Sequence, residues 1–106
     1  MASPTAVNPP SFTMSVAETQ TVGLDATAYL TTGQSVSAVS SSLTRLSDGQ
    51  VVSLADSPTL SGNVVSQILR GPTELDAGSV YNLRIVFTAS PSVNKWAMDL
   101  EVIVTP

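Results

Sequence analysis

Apolar and polar side chains alternate residue by residue in two stretches near the end of the chain. In residues 80–88, Tyr81, Leu83, Ile85 and Phe87 fall on one face; in residues 95–105, Trp96, Met98, Leu100, Val102 and Val104 do. A period of two marks a strand with one buried side. The intervening Ser90-Pro-Ser-Val-Asn94 has the composition of a hairpin loop. The same reading places strands at 19–24, 34–46 and 62–70, the last with Val64 and Ile68 inward. Within 34–46 the phase slips: Val36 and Ala38 share one face, Val39 and Leu43 the other. A β-bulge near Ala38 reconciles them. Residues 25–30 read as a single helical turn capped by Asp25 and ended at Thr31-Thr-Gly33. Ser47-Asp-Gly49 predicts a hairpin returning through residues 51–54, and Asp56-Ser-Pro58 predicts a further turn. No long amphipathic helix competes, so the expected class is all-β.

Leu75-Asp-Ala-Gly-Ser-Val-Tyr81 refines that class. A turn carrying Gly78 delivers a tyrosine to the mouth of an alternating strand. Immunoglobulin-like sandwiches use this arrangement to pin a corner between their sheets. The expected architecture is an immunoglobulin-like antiparallel β-sandwich of about seven strands. Leu75, Gly78, Tyr81 and Trp96 are its structural residues. At 106 residues the chain suits one such domain, and the boundary falls between an extended N-terminal arm, residues 1–18, and the sandwich, residues 19–106. Pro4, Pro9 and Pro10 set that arm apart, because proline forbids helix and withholds a ladder hydrogen bond.

Composition shifts attention from chemistry to surfaces. Charged residues make up 11% of the chain, against about a quarter in an average domain. Serine and threonine fill the gap at roughly a quarter. A hydroxyl costs less to bury than a charge, so such a surface suits a protein packed against neighbours. The net charge is −4, and the four cations, Arg45, Arg70, Arg84 and Lys95, are scattered. Nucleic acid, which requires clustered cations, is not an expected partner. Neither is a membrane, since no apolar run approaches the roughly 20 residues of a span. The first ten residues also lack the basic and apolar regions of a signal peptide.

The chain has no histidine and no cysteine, which removes the commonest general base and the best zinc ligands. Carboxylates are the remaining candidates. Asp99 and Glu101 stand two apart on the outward side of the last strand, where solubility and edge protection explain them better than acid–base work. Glu74 and Asp76, with Asp25, Asp48 or Asp56, offer oxygen ligands for calcium, but without calcium-loop spacing. A serine nucleophile would need Lys95, and a lysine snorkelling from a strand end is the simpler account. Gly71-Pro72 reads as a turn with no helix after it, hence no phosphate cradle. Trp96 and Tyr81 could be sugar platforms, yet both lie on apolar faces and belong in a core. Tyr29 could cap the sandwich or make a contact. The expectation is a protein that is not an enzyme and holds no cofactor or metal.

The order of features has a further implication. Val22-Gly-Leu-Asp-Ala-Thr-Ala-Tyr-Leu30 leads into Thr32-Gly-Gln-Ser-Val36, then come residues 60–71, the 75–81 turn, and a closing Leu100-Glu-Val-Ile-Val104. Over residues 17–105 this resembles small virion proteins of tailed bacteriophages with an immunoglobulin-like fold, of the fibre-to-tail adaptor and head-decoration type. The chain departs from that group in having no tryptophan at 35–45 and a longer, more hairpin-like stretch at 45–57. The resemblance implies a structural protein of the virion, assembled in the host cytoplasm. Its implied partners are capsid, neck or tail proteins, in multiple symmetric copies. Docking is then expected of the arm, through Pro4, Val7, Pro9, Pro10, Phe12 and Met14. The alternative is a host-surface or carbohydrate-binding module of the same fold.

Overall fold

Strand β7 (Val80–Ser90) is the spine of the larger sheet, flanked by β3 (Ser35–Arg45) and β8 (Asn94–Thr105) in antiparallel pairing. The computed structural model describes residues 11–91 and 94–106. In cross-strand register, Tyr81, Leu83, Ile85 and Phe87 stand opposite Val102, Leu100, Met98 and Trp96. Directly opposed residues share a face, so both alternating stretches turn their apolar sides inward together, as their period of two predicts. On the other flank Val39, Ser41 and Leu43 oppose Phe87, Ile85 and Leu83. Val36 stays on the same face because the register shifts between Val36 and Ala38, where the slipped phase called for a bulge.

Two more strands complete this sheet. β4 (Val51–Val52) pairs with β3, and β1 (Ser11–Ser15) pairs with β8 in parallel, giving the order β1-β8-β7-β3-β4. The second sheet has the order β2-β6-β5, from β2 (Thr19–Asp25), β6 (Val64–Arg70) and β5 (Thr59–Ser61). Lettered A to G in chain order, with β4 as C′, the sheets run B-E-D and A-G-F-C-C′, an immunoglobulin-like strand order in which A lies beside G instead of beside B. Between them lies one core built on Tyr81, Phe87, Leu83, Leu43, Leu69 and Met14.

Several sequence expectations are corrected. Residues 11–15 do not belong to an arm: they form β1, held along β8 from Ser11 opposite Glu101 to Ser15 opposite Thr105. The inward residues of β6 are Val65, Gln67 and Leu69, while Val64 is 38% exposed. The buried residue that disguised the phase is Gln67. Its amide donates to the Asp56 and Ile68 carbonyls at 2.9 Å each, and its oxygen accepts from the Ser41 hydroxyl. A buried amide satisfied in this way escapes the cost of an unpaired one. Gly62 is not in a strand. With φ +60 it is the first residue of a two-residue turn between Ser61 and Val64.

Gly71 opens a one-turn helix, α1 (Gly71–Glu74), in place of the expected plain turn. Its N–H donates to the Glu18 carbonyl at 2.9 Å. A side chain there would fall against the carbonyl oxygens of Val16 and Glu18. The expected turn after β2 is a 3₁₀ turn at Thr27–Tyr29, and the Asp25 carboxylate accepts from the Thr27 N–H at 3.0 Å.

Candidate functional site

The acidic side chains were the only reactive candidates, and the fold uses nearly all of them as fasteners. The Arg45 guanidinium bridges Asp48 at 2.7 Å and Asp76 at 2.6 Å, tying the β3–β4 hairpin to the turn before β7. Its hydrogen bond to Asp48 holds that carboxyl down at about 2. Arg70 holds Asp56 at 2.6 Å, and the Arg70 hydrogen bond keeps the Asp56 carboxyl below its ordinary range. Glu74 accepts from the Arg70 N–H at 2.8 Å and the Ala55 N–H at 2.6 Å, stapling α1 to β6 and to the preceding loop. Asp99 and Glu101 do point outward from β8. Asp99 is gripped by Arg84 at 2.8 Å and by the Asn82 amide at 3.2 Å, and the Arg84 hydrogen bond lowers its carboxyl. Acidic groups spread this way do not converge. Among the described residues, no group of three or more forms a metal-ligating cluster.

The aromatic candidates lie inside. Tyr81 is 1% exposed, and its hydroxyl accepts from the Asp76 N–H at 2.8 Å across the Gly78 turn. Leu75 is buried beside that corner and Gly78 has φ +81. Trp96 is 6% exposed, and its ring sits 6.2 Å from that of Tyr29, which is itself 6.4 Å from Phe87. Tyr29 therefore closes one end of the core over Phe87 and Trp96.

Of the residues expected to dock on a partner, Pro4, Val7, Pro9 and Pro10 lie outside the described residues. Phe12 and Met14 have a different task. Met14 is 2% exposed within the core and Phe12 packs against it. In β1 they share a face with Val104 and Val102 of β8, so burial of that face draws them in.

What the sandwich does present is an open seam. Among the described residues, β1 pairs with β8 over 101–105, and residues 95–100 pair with β7 alone. Across the gap runs β2, an edge of the smaller sheet. Between these edges lies a largely apolar cleft of about 110 Å³, lined by Val22, Leu24, Leu83, Ile85, Met98 and Leu100, with Asp99 at its border. The N–H of Val16 donates to the Thr105 carbonyl, so even-numbered residues of β1 face β8. Sequence reasoning passed over this seam.

No family model, no curated protein and no solved structure matches the chain.

Proposed function

We propose that this chain is a non-enzymatic structural protein of a tailed-phage virion. In this reading it binds other virion proteins as a capsid decoration or as a head, neck or tail adaptor. One observation supports the reading: the acidic side chains are engaged in the scaffold and the exposed strand positions are rich in hydroxyls. Seven acidic side chains (Glu18, Asp25, Asp48, Asp56, Glu74, Asp76 and Asp99) are engaged in hydrogen bonds or ion pairs of the scaffold. The exposed strand positions carry hydroxyls, among them Thr19, Thr21, Thr59, Ser61, Ser40 and Ser42. Strand edges that have no partner among the described residues, beside an apolar cleft, suit main-chain addition of a neighbour. Repetition around a symmetric particle multiplies a weak contact into a stable one. The resemblance to small immunoglobulin-like virion proteins supports the same reading. The carbohydrate-binding alternative draws no support from Trp96, whose ring is buried under Tyr29.

The test is a truncation placed upstream of β1. Removing residues 2–10 spares Phe12 and Met14 in the core. The shortened protein should keep its unfolding midpoint and lose incorporation into particles. Particles carrying it at full occupancy would contradict docking through the arm.

A further inference from the structure

Asp48-Gly49 is the only Asp–Gly pair in the chain, and it stands at the tip of the β3–β4 hairpin, where residues 46–50 are all exposed. An aspartate followed by glycine is open to attack on its own side chain, because glycine has no Cβ to obstruct the approach. The Gly49 nitrogen adds to Cγ of Asp48, forming an N–C bond. The carboxyl's hydroxyl leaves with the amide proton as water. The five-membered imide so formed takes water back at either of its carbonyls. Opening at the main-chain carbonyl leaves the chain running through the former side chain, as isoaspartate. Mass is unchanged, and the sequence of steps uses no oxidant or cofactor. Two conditions must hold: a protonated carboxyl, whose hydroxyl can leave, and a backbone nitrogen free to reach it.

The folded hairpin denies both. Oδ2 of Asp48 accepts from Nη2 of Arg45 at 2.7 Å, and Oδ1 accepts from Nε of Arg45 and from the Gln50 N–H, each at 3.1 Å. A bidentate guanidinium favours the ionised carboxylate, and this hydrogen bonding lowers the carboxyl to about 2. The Gly49 N–H is already engaged, donating to the Arg45 carbonyl at 2.8 Å. One residue therefore restrains both reacting groups, the carboxyl through its side chain and the nitrogen through its main chain. Arg45 is itself fixed by Oε1 of Gln50 at 2.7 Å and, from the turn before β7, by Asp76 at 2.6 Å. We propose that Asp48-Gly49 is a latent modification site, converted to isoaspartate when the hairpin opens and guarded by Arg45 in the folded chain. Conversion adds one main-chain atom to the turn and brings the carboxylate one carbon closer to the main chain, so the Arg45 fork loses its match. The proposal goes beyond the virion reading and is independent of it.

The full chain tests it, aged for weeks at neutral pH in two samples, one folded and one unfolded in guanidinium chloride. After digestion, isoaspartate at residue 48 is located by fragmentation mass spectrometry and counted by enzymatic carboxyl methylation. The unfolded sample should gain it about tenfold faster or more, because the attack slows in proportion to the protonated carboxyl. Arg45→Lys keeps a cation but not the fork, and the folded variant should isomerise several-fold faster than wild type. Asp76→Asn removes an outer partner of Arg45 and spares the fork, so it should stay as slow as wild type, which separates the guard from a general loosening of the hairpin. A folded wild type that isomerises as fast as the unfolded chain overturns the proposal, and so does an unfolded chain without product at residue 48. An Arg45→Lys variant, shown folded by circular dichroism, that stays as slow as wild type overturns it as well. Equal acceleration by Arg45→Lys and Asp76→Asn does the same, by taking the protection away from the fork.

Discussion

Tyr81 shows how much one side chain can be asked to do. Its ring fills the core between the sheets, and its hydroxyl holds the Asp76 N–H. Tyr81→Phe keeps the ring and removes the hydrogen bond. Asp76 is exposed, so its freed N–H can turn to water, and the loss should be about 1 kcal/mol in denaturant unfolding. Gln67 has no such relief. Gln67→Leu preserves volume but strands the Asp56 and Ile68 carbonyls and the Ser41 hydroxyl inside the sandwich. A loss of about 1–3 kcal/mol is expected from unsatisfied buried groups, and a neutral effect would mean that water reaches them. Tyr81 was readable in advance because its turn has a local signature. Gln67 was not, because its partners come from β3 and from the loop before β5, which only folding brings near.

At the level of elements, strict alternation made β7 and β8 legible, and the strands expected at 19–24 and 34–46 are β2 and β3; β6 was read in the wrong phase and β1 was missed. β7 and β8 carry apolar residues on one face without exception. β6 carries Val64 and Ile68 on its outer face and Gln67 on its inner one, so hydrophobicity alone pointed the wrong way. β1 was hidden by the prolines before it, whose influence stops at Ser11. The connection after β6 depends on a close approach. Gly71 lets α1 sit directly on the backbone of residues 16–18, where its N–H reaches the Glu18 carbonyl. Gly71→Ala would drive a methyl group into main-chain oxygens that cannot rotate aside. A thermal melt should show a loss of about 1–3 kcal/mol, as overpacking gives; an unchanged melt would show that α1 can lift away.

For the whole molecule, acid is the expected weakness. Asp25, Asp48, Asp56 and Asp99 all have carboxyls lowered by hydrogen bonds, Asp48 to about 2. In the unfolded chain they return to about 3.9. The folded state then binds fewer protons, so the stabilisation is complete above the unfolded value and is lost as pH falls through the folded ones. With no histidine in the chain, no side chain of ordinary pKa titrates between pH 5 and 8. Urea midpoints should therefore be level from pH 8 to 5 and should fall between about pH 4 and 2. A drop already complete by pH 5 would mean that other groups govern the transition.

Local order in the chain was enough to determine the all-β class, the bulge beside Ala38, the tyrosine corner and the inward faces of the last two strands. Each rests on interactions between residues close in sequence or on a period within one strand. The tertiary structure alone decided that β1 joins β8 in parallel, that Phe12 and Met14 serve the core, and that an apolar cleft opens between β8 and β2. Those outcomes depend on pairing between segments some 90 residues apart, Ser11 with Glu101 for instance. Such pairing is governed by which faces and edges remain free once the two sheets have closed on each other.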